Sequence, residues 1–333
     1  MTPLPTRLRR RSVTLAGLLL PVATAFPGPA RAAGYPDKPI RFVVPFNAGG
    51  NVDAVGRLLA QAMGGDLQQP IVVDNRAGAG GSLGAGLVSQ GAADGYTLLV
   101  GSNGPLTINP FVQTKLAYKP LEDFAPIALA GTVPHVFIVN NDLPARNLQE
   151  LVALSKQRPL GCATSGVGSA THLTLARFDA ATGARIDHVP YRGGNSLVPD
   201  LLGGTVQIAA MELSTALPLH KAGKARILAV AGERRSGLAA DIPTFIEAGV
   251  PGFTAQSYVG LLAPVQTPRA VLQALEKSAL AVLASSDTAE RIAGIGMQVA
   301  EPADRTAAGF ARLLKADYDR SGAAVKLAGV KAE

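Results

Sequence analysis

Short apolar runs alternate along this chain with longer stretches whose apolar residues recur at helical spacing. Ile40 to Val44 reads as a strand, and a helix-period segment follows from about Asp53 to Met63. Ile71 to Val73 leads through a glycine-rich turn to a helix from about Ser82 to Ala92, and Thr97 to Val100 is the next strand. Pro126–Ala130 and Val136–Val139 read as two more strands. A helix then opens at Asn147, with Glu150 three residues on as in a capping box. The rhythm repeats with strand Gly161–Thr164, a helix from Ser169 to Thr182 stopped by Gly183, strand Ile186–Val189 and a short helix at Val198–Leu202. Strand Val206–Met211, helix Thr215–Lys221, strand Arg226–Ala231 and a longer extended run at Thr254–Leu262 follow. Helical patterns over Pro268–Ser285, Thr288–Ile295 and Ala303–Leu327 close the chain, the first with proline at its opening position. Such alternation predicts an α/β protein with parallel sheets covered by helices on both faces.

Length and charge refine this picture. At roughly 100–200 residues per domain, 333 residues predict two domains. The 37 glycines and 24 prolines stay below the low-complexity range, and one cysteine excludes a disulfide scaffold. Cys162 sits in a strand-like run and reads as a small buried hydrophobe. The formal charge of +7 belongs to the N-terminus: residues 1–32 carry five arginines and no acid. Without them the 31 basic residues fall to 26 against 24 acidic ones, a net of +2, too weak a field to argue for nucleic acid. Arg9-Arg10-Arg11, an apolar run from Ser12 to Phe26 and Ala30-Arg31-Ala32 have the order of a cleaved signal peptide, by the general secretory or the twin-arginine route. The run is too short for a membrane span. The mature protein is therefore expected in the periplasm, cut near Ala32.

Ligands of open parallel sheets bind at the carboxyl ends of strands, and two strand-to-helix loops stand out there. Pro45-Phe46-Asn47-Ala48-Gly49-Gly50-Asn51-Val52-Asp53 offers close backbone approach and the unpaired amides of a first helical turn. That combination favours an anion. The same residues also fit a tight turn in which Asp53 is only a first-turn acid. Thr164-Ser165-Gly166-Val167-Gly168-Ser169-Ala170-Thr171-His172 repeats the pattern and adds two serine hydroxyls. Each hydrogen bond to a charged group contributes about 1.5–3 kcal/mol. Four or five of them reach the roughly 8 kcal/mol of a micromolar dissociation constant without an arginine. A third cluster holds Gly80-Gly81-Ser82-Leu83-Gly84, the letters of a nucleophile elbow, so a periplasmic serine hydrolase using Ser82 is the alternative. An elbow, however, sets its serine straight off a strand, and several residues separate Val73 from Ser82. Walker and dinucleotide fingerprints are missing, and the four histidines lack metal-ligand spacing, so neither cofactor nor metal is expected.

Tyr35-Pro36 through Pro39-Ile40, then Val44-Pro45-Phe46 with Ala48-Gly49-Gly50 and Asp53, resembles the opening of the tripartite tricarboxylate transporter substrate-binding proteins, the Bug family. Matches continue through Val73-Asp74-Asn75-Arg76, Asp94-Gly95-Tyr96-Thr97, Asn109-Pro110, His188-Val189-Pro190-Tyr191, Asp200-Leu201-Leu202-Gly203-Gly204 and Pro243-Thr244 with Glu247-Ala248-Gly249. The resemblance implies a two-domain periplasmic binding protein of the type II, Venus-flytrap kind, with crossovers near His135–Val139 and Thr254–Val259. Domain 1 would comprise 33–136 and 257–333, and domain 2 would comprise 137–256. A small carboxylate would sit between them, held largely by backbone amides, and be delivered to membrane permease subunits by a monomeric receptor that is not an enzyme; signalling to a sensor kinase is a further role for such a protein. The expected ligand-binding residues are Phe46, Asn47, Ala48, Gly49, Gly50, Asp53, Ser102, Ser165, Gly166, Gly168, Ser169, His172, Tyr191 and Glu212. Met211-Glu212 departs from an aromatic–aspartate pair common in relatives.

Overall fold

A computed structural model of the chain describes residues 34–328. The leader read over residues 1–32 lies outside the described residues. The first half builds β1 (Ile40–Val44), α1 (Asn51–Leu67), β2 (Ile71–Asn75), α2 (Ser82–Ser89) and β3 (Thr97–Gly101). A π-helical turn at Gly104–Ile108, the short helices α3 (Asn109–Val112) and α4 (Pro120–Asp123), and the long strand β4 (Phe124–Asn140) follow. The second half runs α5 (Leu148–Ser155), β5 (Gly161–Thr164), α6 (Ala170–Thr182), β6 (Asp187–Pro190), α7 (Val198–Leu202), β7 (Ile208–Glu212), α8 (Leu213–Lys221) and β8 (Ala225–Val230). Then come β9 (Gln256–Pro264), α9 (Arg269–Ala284), α10 (Ser286–Gly294), β10 (Gln298–Val299), α11 (Pro302–Arg305) and α12 (Ala307–Ala328).

The strands are ordered β2-β1-β3-β9-β4-β7-β5-β6. Parallel pairing holds at both ends, β2-β1-β3 on one side and β6-β5-β7 on the other, as the alternation of strand and helix requires. The centre is antiparallel, because β4 and β9 run between the two groups and pair with each other. The two runs read separately at Pro126–Ala130 and Val136–Val139 are one 17-residue strand. Pro134 hides this in the sequence, since proline cannot donate to a ladder. It sits where the strand changes partners: residues through Pro134 pair with β9, and from His135 onward with β7 and β8.

Local signals act where they were read. Asn147 caps α5 by accepting the Glu150 N–H, while the Glu150 carboxylate accepts the Arg146 N–H. Ser169 caps α6, and Gly183 ends it in the left-handed region. Pro268 is the N-cap of α9, one residue before its first turn. The pattern over Ala303–Leu327 divides at extended Thr306, whose hydroxyl accepts the Gly309 N–H and begins α12 afresh. One apolar cluster runs from Ile40 and Phe42 through Val136 to Met211 and Leu217. A second gathers the rings of Phe137, Phe178, Phe245 and Phe253 on the β5 side.

Gly260 of β9 lets α12 lie on the sheet. A Cβ there would stand 2.4 Å from the Phe310 ring and 2.8 Å from the Ala128 carbonyl oxygen. Gly260→Ala is expected to lower stability by about 1–3 kcal/mol, as overpacking does. Urea melts with an unchanged slope and a lower midpoint would register it; an unshifted midpoint would contradict the packing described.

Candidate functional site

The two loops singled out in the sequence leave the carboxyl ends of β1 and β5 and enter α1 and α6. Between them lies an enclosed nook of about 20 Å³. Phe46, Gly50, Ser102, Ser165, Ser169 and Glu212 of the expected set line it. So do Asn51, Val52, Gly104 and Ser257, which pattern reading left off the list.

The two loops offer different donors. α1 starts at Asn51 behind Gly50, and no side chain caps it, so its first-turn amides are left to whatever enters the nook. Beside them, the Asn51 Nδ2 and Ser165 Oγ atoms are buried without a hydrogen-bond partner. The backbone of the second loop is largely engaged already. Ser165 N–H donates to Thr171 Oγ1, Gly166 N–H to Thr164 Oγ1, Gly168 N–H to His172 Nδ1, and His172 N–H to the capping Ser169 hydroxyl. The second loop therefore presents its hydroxyls more than its amides.

Other expected residues hold the site together. The Asp53 carboxylate is 3% exposed. It accepts from the Gly49 N–H at 2.8 Å, Arg57 Nε at 2.9 Å and Asn75 Nδ2 at 2.9 Å. Burial alone would raise its pKa, but the hydrogen bonds from Arg57, Gly49 and Asn75 outweigh it and keep the carboxyl below its ordinary range. Asn75 also donates to the Phe46 carbonyl, which fixes the loop's entry. Asn47 N–H donates to the Arg192 carbonyl, and Asn195 Nδ2 to the Gly49 carbonyl at 2.6 Å, so this loop is latched to the β6–α7 connection. Ala48 is exposed at its tip. Tyr191 donates to Asp200 at 2.5 Å, away from the nook lining.

A second latch lies across the nook. Gly80, in the left-handed region at φ +60°, lets the third glycine cluster meet the second loop; a Cβ on it would stand 2.2 Å from the Val167 carbonyl oxygen. Gly168 faces Asn109 in the same contact. Asn109 Nδ2 reaches the Gly80 carbonyl and, at 2.5 Å, the Ser82 hydroxyl, which Tyr118 also approaches. Ser82 opens α2 behind a 3-10 turn, and its hydroxyl meets the Asn109 amide and the Tyr118 phenol.

Electrostatics complete the picture. Glu212, 7% exposed, has its pKa raised by burial, and Ser257 donates to its Oε1. Ser257 in turn meets His135 at 2.8 Å, and His135 meets Thr174 at 2.6 Å, a buried polar chain beside the point where β4 changes partners. His172 and His188 stack at 3.8 Å, and burial pushes each down to about 4, so both rings are neutral at pH 7. Among the described residues no group of histidine, cysteine and acidic side chains could hold a metal ion, and no helix is long and apolar enough to cross a membrane.

Paired strand-end loops closing on a nook of unpartnered donors make the architecture of a solute-binding protein. The model of the family described as "Tripartite tricarboxylate transporter family receptor" matches residues 55–330, and the chain belongs to that family. Protein BugT of Bordetella pertussis is 37% identical over 279 residues, 83% of this chain and 86% of its own. An R. palustris protein solved with adipate has a TM-score of 0.86 at 32% identity, covering 90% of this chain and 100% of its own. MatC of Rhodopseudomonas palustris with bound malate has a TM-score of 0.84 at 31% identity, covering 87% and 100%.

Because its pKa is raised, Glu212 keeps its proton in the folded protein to a higher pH than in the unfolded chain. The stability tied to that proton is present at low pH and is lost as pH rises through the folded value. Glu212→Gln is expected to melt a few degrees above the wild type at pH 8, the gain shrinking toward pH 4. A difference independent of pH would contradict it.

Proposed function

We propose that this receptor captures a small carboxylate, with the anion seated at the uncapped start of α1. The observation that carries the reading is the convergence of those amides with Asn51 Nδ2 and Ser165 Oγ in one enclosed nook. A buried donor without a partner costs about 1–3 kcal/mol, and an anion relieves several at once. Adipate and malate in relatives of similar fold support the carboxylate. In this reading residues 33–136 with 257–333 form one lobe and 137–256 the other, hinged where β4 and β9 pass between them. The latches at Asn195–Gly49 and Gly80–Val167 then mark the closed state. The chain would be exported, its leader cleaved, and the closed, loaded monomer would then meet the permease subunits of a tripartite tricarboxylate-type importer in the periplasm.

Calorimetry of the mature chain against a panel of organic acids tests this. A carboxylate is expected to bind, and Ser165→Ala is expected to weaken it about 10- to 100-fold, the equivalent of one hydrogen bond to a charged group. Silence of the wild type across the panel, or unchanged affinity in Ser165→Ala, would overturn the assignment.

A further inference from the structure

Glu212 is the one ionisable side chain among the nook's lining residues. It ends β7, where α8 begins, and is buried. A Cβ on Gly194 would stand 3.3 Å from Glu212 Oε2 and 3.8 Å from the unpartnered Ser165 Oγ, so carboxyl and hydroxyl flank one point of the nook wall. The titratable group packed nearest to it is His135, its partner in the β4–β7 register. Burial, with Arg177 nearby, pushes that ring down to about 3, so it is uncharged at pH 7. Ser257 of β9 and Thr215 of α8 are neutral, and the His172 and His188 rings behind the second loop are neutral as well. On α1 the Asp53 carboxylate is turned to Gly49, Arg57 and Asn75, and Arg192 of the β6–α7 connection is exposed.

A proton count around Glu212 points to its state. Four contacts run in a chain: Thr174 Oγ1 to the Ala170 carbonyl at 2.9 Å, His135 Nδ1 to Thr174 at 2.6 Å, His135 Nε2 to Ser257 at 2.8 Å, and Ser257 to Glu212 Oε1 at 3.3 Å. One neutral imidazole and two hydroxyls bring three protons to these four contacts. With Glu212 ionised, Ser257 donates to it and one of the other contacts goes without. A proton on Oε1 reverses that bond and completes the set: Glu212 donates to Ser257, Ser257 to His135 Nε2, His135 Nδ1 to Thr174, and Thr174 to Ala170. The anion itself adds a second reason. A carboxylate on the α1 amides and Ser165 Oγ shares the nook with Glu212. Two carboxyl groups in one site do not both ionise, since each raises the pKa of the other. We propose that Glu212 is a neutral carboxylic acid in the loaded receptor, so that each carboxylate captured brings one proton from solvent with it. In the open receptor water reaches the acid and it ionises; closure over an anion restores the proton. The inference rests on the carboxylate reading above and deepens it.

Calorimetry of the wild-type mature chain with adipate, malate and benzoate, all ionised above pH 7, tests this. For the acid that binds most tightly, Kd is expected to rise about tenfold per pH unit between pH 7 and 9. The difference in heat between HEPES and Tris buffers at pH 8 is expected to report about one proton taken up per anion. Glu212→Gln, uncharged at every pH, is expected to take up no proton and to bind at least tenfold more tightly than the wild type at pH 9. The buffer comparison needs only the wild type, so it decides the matter even if thermal melts show that the variant does not fold. A Kd that stays flat or falls as pH rises, equal heats in the two buffers, or uptake that persists in Glu212→Gln would overturn the role of Glu212 and leave the receptor assignment standing. Failure of all three acids to bind, or unchanged affinity in Ser165→Ala, would instead overturn the carboxylate reading on which it rests.

Discussion

An unmet demand for hydrogen bonds organises this molecule. The first amides of α1 have no capping side chain, and Asn51 Nδ2 and Ser165 Oγ beside them are buried without partners. Left alone, each such donor is a cost to the fold, because burial removes water without supplying a protein acceptor. An anionic guest seated there, as proposed above, would satisfy several together. A helix start can do this without a cation because its dipole and its N–H groups point the same way.

Keeping that deficit in place requires a stiff frame. Asp53 supplies part of it by engaging Gly49, Arg57 and Asn75, so the protein's own side chains brace the loop that leads into α1. The two latches close the nook from opposite sides, one through Asn195 and the Gly49 carbonyl, the other through close approach at Gly80. Both are contacts of neutral groups, made and broken without moving a charge out of water. β4, running unbroken past Pro134, pairs with β9 before that residue and with β7 and β8 after it, so one backbone joins both sides of the sheet.

The polarity around the nook is arranged to exclude competing charge. No lysine, arginine or histidine is among the nook's lining residues, and burial keeps the His172 and His188 rings neutral at pH 7. The His135–Ser257 contact ties Glu212 into a chain that ends at Thr174 of α6. Selectivity of such a site comes from the count and direction of donors and from the walls around them, since dipoles discriminate by position where a lone lysine would attract any anion.

The elements and the two loops were legible in the sequence because their signals are local. Asn147 with Glu150, Ser169 and Gly183 act within a few residues of themselves, and a glycine-rich turn between a strand and a helix announces a place where backbone meets a ligand. The family was legible for a related reason: its motifs sit in those turns. The sequence alone could not divide the loop residues by task. Asp53, Asn75 and Arg57 are 4 to 22 positions apart, and only the packed fold turns them into one support for the Gly49 turn. Gly80 and Val167 lie far apart in the chain and meet only in the fold, so the contact of the third glycine cluster with the second loop has no local signal in the sequence. Asn51 became a donor without a partner through burial alone, a property of everything around it and of nothing beside it in the chain.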